Sequence, residues 1–168
     1  GTAGDADASF YGGTLDISVS GSNYGSSSGG GGFGGGFGGG FGGGFGGGSS
    51  SSSNSVAAKG IKFDGNLTFA GSKVSVSCKS HEGIEAKGTL TISDGIVYSY
   101  SASDDAVNSG STFTVSGGYL CGYAPSNYAL DANGNLYVQD ETGTIYIYGL
   151  FNAKGQYPKD AGGWNTFG

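Results

Sequence analysis

Apolar positions recur every 23 residues along the middle of the chain. Four columns follow this spacing, and fifteen of their sixteen positions are apolar in a chain that is 36% apolar overall. Self-similarity of this length is typical of a solenoid, in which each repeat stacks on the one before it. The columns are Ile61, Ile84, Val107 and Leu130; Leu67, Leu90, Phe113 and Leu136; Phe69, Ile92, Val115 and Val138; and Val74, Val97, Leu120 and Gly143.

Inside each repeat, apolar and polar residues alternate, which is the period of a strand with one buried face. Leu67-Thr68-Phe69 and Val74-Ser75-Val76 show the alternation, and turn residues such as Asp94-Gly95 separate the strands. A leucine-rich repeat has this length but needs a helical return leg, which Gly and β-branched residues do not favour. The pattern therefore predicts an all-β parallel β-helix, with equivalent strands about 4.8 Å apart.

The first residues join the same register when Gly12-Gly13 is aligned with Asp94-Gly95, which places Phe10 on Ile92 and Leu15 on Val97. We therefore expect a partial first coil in residues 1–20, a body in residues 59–148, and about five coils in total. Residues 21–58 would be one insertion of 36 extra residues, rich in Gly and Ser. It carries four Gly-Gly-Gly-Phe repeats, at Phe33, Phe37, Phe41 and Phe45. Residues 149–168 would form an aromatic tail or cap.

Composition excludes several classes of protein. The chain has seven Lys and no Arg against thirteen acidic residues, a net charge of −6, which argues against a nucleic-acid partner. No apolar stretch is long enough for a membrane-spanning helix. With 39 Gly, eleven Tyr, low charge and no Met, the chain is expected to be a processed, secreted protein.

Acidic residues stack in the predicted register, which points to a cation. Glu85 lies below Asn108 and Asp131, and Glu82 lies below Asp105 with Asp104 beside it. Carboxylates at strand spacing repel one another unless a cation lies between them, and oxygen ligands from successive turns suit Ca²⁺. The sequence thus predicts either a calcium site or a solvated acidic corner.

Tyrosines form a second outward column at the 23-residue step, namely Tyr100, Tyr123 and Tyr146, with Tyr98 beside it. Such a ladder offers ring faces to sugars, but the rings also stabilise a solenoid by stacking on one another. Both interpretations stay open.

Three strings resemble a known family: Glu82-Gly83-Ile84-Glu85-Ala86-Lys87-Gly88, Asp104-Asp105-Ala106-Val107-Asn108 and Ala129-Leu130-Asp131-Ala132-Asn133-Gly134. They are similar to secreted bacterial carbohydrate-binding β-helix proteins over residues 59–148. The resemblance implies a right-handed parallel β-helix that carries calcium and binds cellulose or acidic plant sugars such as polygalacturonate.

Catalysis is not expected. The pectate lyases that share this fold use a basic residue, commonly Arg, and this chain has none. The pair Asp104-Asp105 would need an opposing carboxylate across a cleft, for which a short solenoid leaves little room. His81, the single histidine, is expected to be an exposed turn residue.

The two cysteines lie two coils minus three residues apart, so Cys78 and Cys121 should face different directions at about 10 Å. That separation exceeds the usual Cα distance of a disulfide. Two free thiols are favoured over an intrachain bridge.

Two functions remain. The open β edges at both ends and the Gly/Phe insertion favour a structural protein that polymerises with itself, head to tail, into an extracellular filament. Phe33, Phe37, Phe41, Phe45, Trp164 and Phe167 would be its connectors. The alternative is a monomeric, calcium-containing module that binds an acidic polysaccharide through Tyr98, Tyr100, Tyr123 and Tyr146.

Overall fold

A computed structural model describes residues 2–22, 24–25, 55–138, 144–153 and 164–167. Within these ranges every regular element is a β-strand. The described residues contain no apolar helix of membrane-spanning length. The all-β prediction is therefore confirmed.

Fifteen strands lie in the described residues, and thirteen of them belong to one stacked sheet whose pairings are parallel. The other two form a short antiparallel pair. The strands are β1 (Thr2–Gly4), β2 (Ala8–Phe10), β3 (Thr14–Val19), β4 (Tyr24–Gly25), β5 (Ser55–Val56), β6 (Ile61–Phe63), β7 (Leu67–Cys78), β8 (Ile84–Ala86), β9 (Leu90–Ser101), β10 (Val107–Ser109), β11 (Phe113–Val115), β12 (Tyr119–Ala132), β13 (Leu136–Val138), β14 (Thr144–Ala153) and β15 (Trp164–Phe167).

Parallel pairing at a 23-residue step confirms a parallel β-solenoid, of about three turns. Ile61 pairs with Ile84, which pairs with Val107. Each strand therefore lies directly on the equivalent strand of the next coil, and like residues form ladders.

The core fills the inside of the coils with the predicted apolar columns. Fourteen of the sixteen predicted positions are buried, with at most 3% of their surface exposed. Val138 pairs with Val115 through its backbone, and Gly143 lies outside the described residues. Since burying one such side chain stabilises a fold by about 1.5–3 kcal/mol, these columns are the main source of stability.

The first strands lie where the sequence predicted them, in the columns of the body. Phe10 pairs with Phe69 and Leu15 pairs with Val74, so both continue the columns of Ile92 and Val97. Each of these first pairs joins residues 59 apart, 36 more than the ordinary step.

The last described coil differs from the prediction. Leu120 pairs with Ile145 rather than with Gly143, so the step into β14 is two residues longer than the repeat. This register keeps an apolar residue in line with the buried column, where Gly would leave unfilled space. Further along the same strands the step is shorter than the repeat, since Leu130 pairs with Phe151.

Glycine is required at the corner between the two long segments of each coil. Gly95 and Gly118, 23 residues apart, adopt φ of 94° and 72°, a region that residues with a Cβ rarely occupy. A Cβ on Gly95 would lie 2.3 Å from the backbone oxygen of Ser72 in the coil below. The corner therefore allows the chain to turn while the coils stay close.

Most of the predicted insertion 21–58 lies outside the described residues. The described flanks, β4 and β5, pair with each other. In the predicted tail, β14 continues to Ala153 and β15 pairs with β14 in parallel. The described part of residues 149–168 therefore adds to the same strand stack.

Candidate functional site

Charged side chains collect at the corner of the solenoid around the start of β6, β8 and β10, which we call the charged corner. Its residues come from three columns with a 23-residue step, so their neighbours across coils follow from the parallel register. The columns are Lys59, Glu82 and Asp105; His81, Asp104 and Asn127; and Lys62, Glu85, Asn108 and Asp131.

Glu85 is the most buried acid of the charged corner, with 1% of its surface exposed. One carboxylate oxygen accepts a hydrogen bond from the ammonium of Lys59 and the other accepts one from Lys87. Burial opposes ionisation of Glu85, but these two contacts outweigh it and hold its pKa below the ordinary value. Glu85 is therefore an ionised carboxylate with both oxygens paired.

Lys59 links two acids of the next coil. Its Nζ also lies 3.0 Å from Oε1 of Glu82. Burial lowers the pKa of this ammonium, yet the hydrogen bonds to Glu85 and Glu82 prevail and raise it above its usual range. Lys59 thus stays charged and supplies the cation that neighbouring carboxylates need.

His81 lies between two carboxylates instead of in open solvent. Its Nδ1 is 3.2 Å from Oε2 of Glu82 and 3.1 Å from Oδ2 of Asp104. Asn127 donates to the other oxygen of Asp104 at 2.9 Å. The expectation of a merely exposed histidine was wrong, because stacking brings Asp104 next to it from the following coil.

The surroundings of Asp105 shift its pKa upward, whereas those of Glu85 shift its pKa downward. Asp105 is buried, and no lysine of the described residues forms an ion pair with it. Its oxygens accept hydrogen bonds from Asn108 Nδ2 at 3.2 Å and from the backbone N–H of Tyr128 at 3.3 Å. Burial and the charges of Asp104 and Asp131 raise its pKa to about 6, against these two hydrogen bonds. Asp105 therefore takes up a proton at a higher pH than an ordinary aspartate does.

The predicted calcium ligands do not form a single oxygen cage. Both oxygens of Glu85 accept hydrogen bonds from lysines, and both oxygens of Asp105 also accept hydrogen bonds. Among the described residues, the potential ligand atoms that lie within 4.8 Å of one another are those of His81, Glu82 and Asp104. An imidazole nitrogen is not a ligand that Ca²⁺ prefers. The predicted set as a whole does not fit calcium, and lysine takes the place of the cation at Glu85.

The outward tyrosine column is present but has a different last member. Tyr100 and Tyr123 stack with ring centroids 5.3 Å apart and planes at 41°. Tyr98 lies in the neighbouring column, and 38% of its surface is exposed. Tyr123 pairs with Tyr148, whereas Tyr146 pairs with Cys121. The predicted place of Tyr146 in this column was wrong, because the step into β14 is two residues longer than the repeat.

Both cysteines are free thiols that point to opposite sides of the sheet, as their spacing predicted. Cys78 is buried in an inward column and donates to the backbone oxygen of Ala58 at 3.0 Å. Cys121 is half-buried in the outward column of Tyr98, where burial raises its pKa.

The predicted connectors lie mainly outside the described residues. Phe33, Phe37, Phe41 and Phe45 are not described. The strand that holds Trp164 and Phe167 pairs with β14, which places their backbones opposite Ile145 and Tyr148.

Sequence reasoning missed the roles of Lys59, Lys87 and His81. The signal was present, because Lys59 and Glu82, like His81 and Asp104, are separated by the 23-residue step. Applying that step to the basic residues as well as to the acids would have paired them.

Comparison of the chain with protein-family models, with curated proteins and with solved structures finds no match in any of the three. The resemblance to carbohydrate-binding β-helix proteins rests on the turn and strand motifs, and it stays a prediction.

Proposed function

We propose that the protein is a secreted structural protein that assembles head to tail into an extracellular filament, with a role in a matrix or in adhesion. The supporting observation is the open end of the core. Phe10, Leu15 and Val19 of the first coil are only partly buried, whereas the residues on which they stack are buried. A further coil from another molecule would cover these side chains.

The backbone at this end supports the same contact. Within the described residues, β2 and β3 each pair only with β7, so their other edges are available. At the opposite end β15 pairs only with β14 among the described strands. Joining the last coil of one molecule to the first coil of the next is a heterologous contact that does not close, which generates a fibre.

We also propose that the solenoid is right-handed and extends to about five coils, with residues 21–58 inserted after the first. The 59-residue step between the first strands and the body supports one insertion of 36 residues. Phe33, Phe37, Phe41 and Phe45, with the aromatic tail, would connect subunits. Replacing these four Phe by Ser should weaken filaments while the circular dichroism spectrum stays β-rich.

The open edge offers a sharper test. Ala8 donates to the backbone of the body, to the oxygen of Asn66 at 2.8 Å. In a parallel strand, alternate residues bond to opposite sides, so the N–H of Ser9 faces the open edge. Ser9→Pro removes that donor without removing a bond inside the subunit.

We expect the Ser9→Pro variant to lose filaments in negative-stain micrographs and to remain folded by circular dichroism. Ser9→Thr, which keeps the donor, should form filaments like the wild type. Short monodisperse wild-type particles, or normal filaments from folded Ser9→Pro protein, would contradict the proposal.

A second candidate function is a monomeric carbohydrate-binding module, favoured by the exposed rings of Tyr98 and Tyr123. Calcium belongs to this candidate, with Glu82 and Asp104, whose oxygens lie within 4.8 Å of each other, as its carboxylate ligands. Micromolar binding of polygalacturonate by a monomer, lost on Tyr98→Ser, would favour it over the filament. A melting temperature that falls on addition of EDTA would support its calcium.

A further inference from the structure

One outer side of the solenoid changes from short to tall side chains along the stack. Here β3 and the later parts of β7 and β9 lie in register with the start of β12, and their outward residues form three columns. We call this surface the graded face. Its columns are Thr14, Lys73, Ile96 and Tyr119; Asp16, Ser75, Tyr98 and Cys121; and Ser18, Ser77, Tyr100 and Tyr123.

The boundary between short and tall residues forms a depression. It has a volume of about 300 Å³ and lies on β3 and β7, against the raised side chains of Ile96 and Tyr98. Its lining exposes mainly apolar surface, although Asp16 and Lys73 lie beside it. The face thus combines a ridge with a neighbouring hollow.

The ridge exposes apolar surface to solvent. Ile96 is 44% exposed and Tyr98 is 38% exposed, and they are neighbours on β9. Outward positions of a sheet that faces only water are usually polar, as they are here on β3 and β7. Exposed apolar residues beside a hollow mark an interaction surface.

Charge allows another copy of this chain to bind at this face. The chain carries a net charge of −6, so two copies repel each other over most orientations. The twelve positions of the graded face hold only Asp16 and Lys73, one charge of each sign. The charged corner, with its cluster of acids, lies on another part of the coil.

Shape favours a second copy, because most of the face is complementary to itself. A two-fold axis parallel to the strands, between β7 and β9, reverses the stacking order and keeps the strand direction. At four of the six opposed positions a large side chain of one copy then lies opposite a small one of the other, whereas Lys73 meets Ile96 and Asp16 meets Cys121. The opposed pairs are Ser75 with Tyr98, Ser77 with Tyr100, Lys73 with Ile96, Thr14 with Tyr119, Asp16 with Cys121 and Ser18 with Tyr123.

We propose that the graded face binds the graded face of a second copy, side by side, through this two-fold arrangement. Face-to-face packing of two sheets with nearly aligned strands is a standard way to bury such surfaces, about 10 Å apart. The contact is lateral, so it is independent of the axial contact in the filament. It pairs subunits whether or not they polymerise.

A polysaccharide is a weaker partner for this face. Sugars stack on the flat side of an aromatic ring, but Tyr100 and Tyr123 lie against each other and partly cover their flat sides.

An exchange of residues tests the proposal, since Ser75 and Tyr98 oppose each other across the axis. Ser75→Tyr places two large side chains opposite each other, and Tyr98→Ser places two small ones opposite each other. Each single change is expected to raise the dimer dissociation constant about tenfold or more, because each is repeated twice in a two-fold interface. The double variant, Ser75→Tyr with Tyr98→Ser, restores every Ser–Tyr pair and should recover pairing.

Sedimentation velocity over a range of protein concentrations measures the pairing, and filament width in negative stain measures it in polymers. Tyr11→Ser is the matched control, because Tyr11 is 79% exposed and lies off the graded face. Thermal melts establish that each variant folds. If Tyr98→Ser does not fold, Ile96→Ser takes its place.

The proposal is overturned if Tyr98→Ser, or Ile96→Ser in its place, pairs like the wild type. It is also overturned if the double variant is as weak as the single ones, or if Tyr11→Ser has the same effect. A monomeric wild type that binds a neutral glucan in a manner dependent on Tyr98 would assign the face to a polysaccharide instead.

Discussion

Lys59 and Glu82 lie 23 residues apart and form an ion pair, with Nζ and Oε1 separated by 3.0 Å across adjacent coils. The same ammonium contacts Glu85, which is almost completely buried. A column of stacked acids is stabilised by an opposite charge in the same column. Here Lys59, in the first complete coil, supplies that charge.

Lys59→Met keeps the stem of the side chain and removes its charge. We expect it to lower the free energy of unfolding by about 3 kcal/mol, because a buried carboxylate loses a partner. Urea denaturation at neutral pH measures the loss. Lys79→Met, at an exposed lysine, is the control, and adding Glu85→Gln to Lys59→Met should recover part of the loss. Equal stability of the Lys59 and Lys79 variants would show that the pair contributes nothing.

Asp105 should make the fold less stable as the pH rises. Its folded-state pKa of about 6 is above the ordinary value of 3.8, so its favourable contribution is complete below about pH 4 and is lost as the pH rises through 6. Asp105→Asn should therefore match the wild type near pH 4 and be more stable by about 2–3 kcal/mol at pH 8. Unfolding curves across this range test it, with Asp5→Asn, at an exposed acid, as the control. A difference that does not change with pH would contradict the assigned titration.

Gly95→Ala should destabilise the corner, because φ is 94° there and the new Cβ would meet the oxygen of Ser72. The expected loss is at least about 2 kcal/mol. Gly12→Ala is the matched control, since no atom lies within 4 Å of its Cβ. Thermal unfolding compares the two variants. Equal melting temperatures would show that the corner relaxes without cost.

Calcium and Lys59 should compete for the charged corner. Removing the ammonium leaves Oε1 of Glu82 and Oε2 of Glu85 without their cation, while Lys87 keeps its contact with Glu85. A divalent ion that binds only the folded state at these two oxygens should then stabilise it by mass action. We expect calcium to raise the melting temperature of Lys59→Met more than that of the wild type. Superimposed melts of Lys59→Met in calcium and in EDTA would exclude an ion there.

The periodic core could be predicted from the sequence because it depends on one repeated physical requirement. A parallel stack puts residues 23 apart next to each other, and burial then selects apolar side chains at Leu67, Leu90 and Phe113. The first coil was predictable for the same reason, since Phe10 and Leu15 keep the alternation of the body.

The details that break the repeat were decided by tertiary structure. The step from Leu120 to Ile145 is two residues longer than the repeat, and no local pattern in the sequence indicates this change of register. The contacts of Lys59, His81 and Glu85 depend on side chains from successive coils that reach the same corner. Sequence by itself determined which residues stack, because register needs only the period. Only the folded chain decided that Lys59 also contacts Glu85, three positions beyond its stacked partner, because that contact depends on where the long side chains end in three dimensions.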